Sequence, residues 1–69
     1  MGISYKKLWK LLIDKDMKKS QLREAASLSS STIAKLTRNE HVALDVLVRI
    51  CAILNCDIGD IVEVKFYEQ

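Results

Sequence analysis

The chain reads as an all-α domain of five short helices, compact and single, with a strand signal at its C-terminal end. Three observations predict that class. The 69 residues hold no proline, and Gly2 and Gly59 are the only glycines, so few breakers interrupt the chain. Apolar residues recur at helical spacing through most of its length. Between Lys19 and Leu36 two short amphipathic runs meet at Ala26-Ser27-Leu28.

Tyr5, Leu8, Trp9, Leu12 and Ile13 fall at i, i+3, i+4, i+7 and i+8, with Lys6, Lys7 and Lys10 opposite. This predicts a first helix over residues 4–15, with Ser4 as its N-cap and Trp9 as the largest contributor to the core. A charged connection follows over residues 14–18, with Met17 tucked beneath it. Leu22, Ala25 and Ala26 give a second helix over residues 19–26 one narrow apolar face.

Ser29 suits an N-cap, because its hydroxyl can accept from the free N–H groups one turn ahead. A third helix is therefore predicted over residues 30–36, with Ile33 and Leu36 inward and Ser30, Ser31 and Lys35 outward. So short a connection forces helices 2 and 3 to cross steeply, as in a helix-turn-helix, where the second helix enters a major groove.

Residues 37–43 form a polar loop in which Asn39 tolerates the left-handed backbone that ends helices. The fourth helix spans residues 44–54 and carries two apolar stripes, Leu44-Leu47-Val48-Cys51-Leu54 and Val46-Ile50-Ile53. Such a helix is either central to the core or part of an interface. Asn55 is its C-cap, and Asp57 caps a short fifth helix over residues 58–62. Val62, Val64 and Phe66 then alternate with Glu63, Lys65 and Tyr67, the period of a strand. Its partner is either Ile3 to Tyr5 of the same chain or the tail of a second chain.

Charge is uneven. Residues 1–42 hold nine Lys/Arg against four Asp/Glu, net +5, whereas residues 43–69 hold two against five, net −3. The basic half contains the helix-turn-helix, which suits a nucleic-acid face, ordinary solvated lysines being the plain alternative. Cys51 and Cys56 lack the further ligands of a zinc site and read as free thiols. With one His, no glycine-rich loop and no nucleophile beside a base, catalysis is not expected, nor is a cofactor, metal or small-molecule ligand. No signal peptide or membrane-spanning stretch is legible, which predicts a cytoplasmic protein.

Residues 5–62 resemble the helix-turn-helix domain of the phage Cro and cI repressor type, the Xre-like transcriptional regulators. The resemblance rests on Leu22, Ala26, Leu28, Ser29, Ser31-Thr32-Ile33 and Leu36, then on Leu44, Leu47, Ile50-Cys51-Ala52, Leu54 and Asp57 to Ile61. It implies a five-helix lambda-repressor-like fold, a double-stranded DNA operator as partner, and a homodimer as one option. It also implies that Ser30, Ser31, Thr32 and Lys35 meet bases, while Lys19, Ser29, Arg38, Asn39 and His41 meet phosphates. Three residues depart from the family pattern. Arg23 stands where a small Ala packs between the helices, Ser27 replaces the turn glycine, and Thr37 replaces a frequent acidic residue. The function implied is sequence-specific regulation of transcription, as a repressor of its own or a neighbouring promoter. The alternative is an antitoxin-like or adaptor module that docks a protein through helix 4 and the tail.

Overall fold

A computed structural model describes residues 2–66. Strand β1 (Gly2–Ser4) leads into helices α1 (Lys6–Asp14), α2 (Lys19–Ala25), α3 (Ser30–Thr37) and α4 (Leu44–Leu54). A single 3-10 turn (Ile58–Asp60) and strand β2 (Glu63–Lys65) follow. The described residues thus hold four α-helices where the sequence predicts five. The stretch that reads as a fifth helix contains Gly59 among the β-branched Ile58, Ile61 and Val62, all poor helix formers, and makes one turn before the chain straightens. Its cap is as expected: the Asp57 carboxylate accepts from the Ile58 N–H at 2.9 Å, and the Asp57 N–H donates to Asp60 at 2.9 Å.

The strand signal finds its partner within the chain. β1 and β2 pair antiparallel, Gly2 opposite Lys65, Ile3 opposite Val64 and Ser4 opposite Glu63. Val62 packs against the core, while Val64 and Phe66 point outward. Tyr67 and the rest of the predicted tail to residue 69 lie outside the described residues.

The core is built from Tyr5, Leu8 and Leu12 of the first segment, Leu22, Ala26 and Leu28 around the turn, Leu36, and Val46, Leu47, Ile50 and Leu54 of α4, closed by Ile61. Two parts of the predicted stripes fall elsewhere. In α1, Ile13 is 76% exposed and Trp9 only half-buried, so Tyr5, Leu8 and Leu12 are the core anchors and not Trp9. Each residue advances about 100° around a helix, which carries Ile13 past Leu12 on the side away from Leu8. In α4 the core takes the arc between the two stripes. Val46, Leu47, Ile50 and Leu54 are buried, and Leu44 at 65% and Val48 at 53% exposure are left on the outer rim.

The helix ends explain how a chain with so little glycine turns this sharply. Asp16, Ser27, Asn39 and Asn55 all have φ between 54° and 59°, the left-handed region in which helices commonly terminate. Neither described glycine is used there. Asn is among the non-glycine residues that visit this region readily. Ser27, at φ 55°, is the turn position where a glycine carries no such strain.

Candidate nucleic-acid interface

The helix-turn-helix assembles from α2 and α3 as the sequence predicts. The α2 N-terminus is fixed by the Gln21 side chain, which accepts from the Lys18 N–H at 2.7 Å. Leu22 and Ala26 are buried against Leu28 and Leu36, so α2 presses its narrow apolar face inward. Arg23, half-buried, reaches past this seam and lies 3.9 Å from the carboxylate of Glu24.

Ser29 caps α3: extended at φ −82° and ψ 162°, it accepts from the Thr32 N–H at 3.1 Å. The Ser31 and Thr32 hydroxyls each lie 3.0 Å from the Ser29 hydroxyl, forming one small cluster. Each hydroxyl offers one donor and two acceptors, so the cluster keeps capacity for a ligand. Ser30, Ser31 and Lys35 are exposed on the same helix, and Thr32 is half-buried. The four expected base-contacting side chains therefore stand on α3 with three of them open to solvent.

The five expected phosphate contacts divide. Ser29 is occupied as the cap of α3. Lys19, the first residue of α2, is exposed, yet its ammonium lies 4.1 Å over the ring of Trp9 and donates to the Thr37 hydroxyl at 3.3 Å. Arg38 is paired with Glu40, Nε to Oε2 at 2.6 Å. The hydrogen bond from Arg38 is the main cause holding the Glu40 carboxyl below its usual range, and the Arg38 and Lys35 charges add to it. Asn39 has a structural duty, its side-chain oxygen accepting from the Tyr5 N–H at 2.9 Å. His41 is exposed in the loop that follows.

Three side chains that hold this face in place were not singled out for that role by the sequence. Tyr5 donates its phenol proton to the Glu40 carbonyl at 2.8 Å, and burial pushes that phenol's pKa up. With the bond to Asn39, Tyr5 ties the start of α1 to the loop that carries Arg38 and His41. Arg49 of α4 donates to the carbonyls of Ala26 and Ser27 at 3.4 and 3.3 Å, and also meets Asp45 at 3.5 Å. A guanidinium thus satisfies the end of α2 at the turn itself. Thr37, which extends α3 one residue past its predicted end, donates to the Ile33 carbonyl at 3.0 Å. A lone arginine on an apolar helix was the available signal for Arg49. Nothing comparable marks the hydroxyl of Tyr5, which sits in sequence as one more stripe residue.

No group of three or more His, Cys, Asp or Glu suited to a metal occurs among the described residues. Cys51 and Cys56 are free thiols, half-buried rather than sealed in the core. Burial pushes the Cys51 thiol up to about 11, and the neighbouring Cys56 thiol adds to the effect. No helix among the described residues is long and apolar enough to cross a membrane.

Comparison with known proteins agrees with this architecture. A comparison with curated proteins finds no match. Among solved structures, the transcriptional regulator VanUg, in its crystal form II, is 64% identical with a TM-score of 0.88, over 90% of this chain and 83% of that one. The family model for the Cro/C1-type HTH DNA-binding domain matches residues 7–66, from the first turn of α1 to just past β2. On that match the chain belongs to the Cro/C1-type helix-turn-helix DNA-binding family.

Proposed function

We propose that the protein is a sequence-specific, double-stranded DNA-binding regulator of transcription, acting as a repressor of its own or a neighbouring promoter. The observation that carries this reading is the exposed row of Ser30, Ser31 and Lys35 on α3, a helix held by its Ser29 cap, the Arg49 clamp and the Tyr5 tie. In this reading α3 lies in the major groove. Lys35 reaches guanine O6 and N7, and the serine hydroxyls donate or accept with several bases. Lys19 and Arg38 grip phosphates, with Ser29, Asn39 and His41 beside them, so affinity falls as salt rises. The likeness to a transcriptional regulator over most of the chain supports this assignment.

If it pairs as a homodimer, its operator is a rough palindrome with half-sites about 34 Å apart. A salt titration of binding to the DNA upstream of its own gene, with random duplex as competitor, tests the reading. Footprinted binding at a palindrome, steeply weakened by salt, supports it. Binding that random DNA competes away equally removes the sequence-specific part.

A second reading is favoured by α4. Leu44, Val48 and Ile53 are exposed, and a cleft of about 210 Å³ lined by Ala25, Ala26, Ser27, Arg49, Ala52 and Ile53 opens beside them. A protein docked here would make the chain an adaptor or antitoxin-like subunit. Lys35→Ala discriminates the two: it weakens operator-specific binding in the first reading and leaves function intact in the second.

A further inference from the structure

Three helices meet at one ammonium group. Lys19 opens α2, its Nζ lies 4.1 Å above the centroid of the Trp9 ring on α1, and the same Nζ donates at 3.3 Å to the hydroxyl of Thr37, the last residue of α3. Thr37 is itself fixed, because its hydroxyl proton goes to the Ile33 carbonyl at 3.0 Å and its oxygen is left to accept from the lysine. Trp9 is half-buried, and Lys19 is exposed.

A free lysine loses rotamer entropy on gripping a ligand. Held between an indole face and a hydroxyl, Lys19 has already lost much of that freedom, and of its three ammonium protons at least one remains to give. An indole is also the strongest of the aromatic faces for a cation.

We propose that Trp9 and Thr37 are positioning residues for DNA binding, holding the Lys19 ammonium where a backbone phosphate meets it. This rests on the DNA-binding reading above. Trp9 therefore serves the nucleic-acid face through Lys19 while contributing to packing only on its inner edge. Thr37 gives the same ammonium a fixed distance from α3, so the phosphate grip of α2 and the base-reading helix keep one register.

The test is a double-mutant cycle, read by anisotropy on a labelled random-sequence duplex at several salt concentrations. A random duplex suffices because phosphate contacts carry no sequence information. Lys19→Ala should weaken binding and reduce the salt slope by about 0.9, the loss of one phosphate contact. Trp9→Leu and Thr37→Val should each weaken binding, about threefold to tenfold for Trp9→Leu from the size of a cation–π contact, with the slope unchanged. Neither should weaken it further in the Lys19→Ala background. Trp9→Phe, which keeps an aromatic face, should recover most of the loss. If Trp9→Leu is unfolded by circular dichroism, Thr37→Val alone carries the cycle.

Because Trp9 is the single tryptophan, its emission reports this site alone, and duplex should change it in wild type but not in Lys19→Ala. Folded Trp9→Leu and Thr37→Val proteins that bind as tightly as wild type overturn the proposal. So do losses of equal size with and without Lys19. A wild-type protein that leaves the duplex unbound defeats the DNA-binding reading itself. If wild type binds and Lys19→Ala binds equally well, only the positioning proposal falls.

Discussion

Arg38 and Glu40 are joined Nε to Oε2 at 2.6 Å, which places a carboxylate against a cation in the loop after α3, on the proposed nucleic-acid face. Both ends are largely exposed, so the pair contributes little to stability, and its consequence is for binding. In the proposed phosphate contact, Arg38 must leave Glu40 or bring that negative charge with it.

Glu40→Gln should therefore strengthen binding to any duplex about twofold to fivefold, by freeing the Arg38 guanidinium and removing a negative charge. The gain should shrink as salt rises, and a salt titration of both proteins on random DNA checks it. The pH dependence has a definite sign. Since Arg38 holds the Glu40 carboxyl below its usual range, the pair is intact at neutral pH and is lost only as pH falls below that range. Between pH 7 and pH 5 the advantage of Glu40→Gln should stay constant.

Lys35 and Arg38 lie on the same face but should behave differently. Lys35→Ala should cost roughly 1–3 kcal/mol at one operator position, whereas Arg38→Ala should weaken all sequences alike and flatten the salt slope by about one. Parallel titrations on operator and random duplexes separate them. Equal losses for both mutants on both duplexes would refute the division of labour.

Ser27 is the weak point of the turn. With φ at 55°, a Cβ is carried where glycine has none, at a cost of about 1 kcal/mol. Ser27→Gly should raise the melting temperature by about 4–8 °C, the response of a domain this small to that energy. No gain on calorimetry would mean that the Ser27 Cβ is not strained at this φ.

Asn39 invites the same substitution with the opposite result. Asn39→Gly suits its φ of 59° but removes the acceptor for the Tyr5 N–H. A part-buried donor left without a partner costs about 1–3 kcal/mol, so this variant should melt lower than wild type. Tyr5→Phe, which deletes the bond to the Glu40 carbonyl, should cost about 0.5–1.5 kcal/mol. Chemical denaturation of the two single mutants is the measurement.

The Cys51 thiol, pushed up to about 11 by burial, sets a limit on the alkaline side. Its folded-state pKa lies above the ordinary thiol value, so unfolding releases a proton between about pH 8.5 and the folded value. Stability linked to this group is complete below that window and declines through it. The melting temperature of wild type should fall more steeply above pH 9 than that of Cys51→Ser.

Much of this was legible before the fold was known. The Ser29 cap, the span of α4 and the left-handed Asn39 and Asn55 all follow from local chemistry, which a sequence carries in full. The errors arose where the answer depended on what lies opposite. Val46 and Leu47 bracket the buried arc of α4, and no periodicity tells which of two overlapping stripes faces inward. Ile58 to Val62 was read as a helix because its cap was right, although the residues after the cap favour a single turn. For the interface, spacing located α3 and the loop. It could not supply the partners of Lys19 and Asn39, since Trp9 and Thr37 reach the lysine, and Tyr5 the asparagine, from segments distant in sequence.

The pairing of β1 with β2 brings the second residue of the chain against the sixty-fifth. Topologically the domain is a ring, closed by a short ladder of hydrogen bonds where a cyclic protein would have a peptide bond. Closing so long a loop is entropically unfavourable, and a three-residue ladder must be helped by the packing of Ile3 and Val62 on the core. Fraying is therefore shared: loosening Gly2 to Ser4 releases Glu63 to Lys65 as well. Gly2 and Lys65 also stand side by side at one end of the ladder, so bulk introduced at either residue competes for one space.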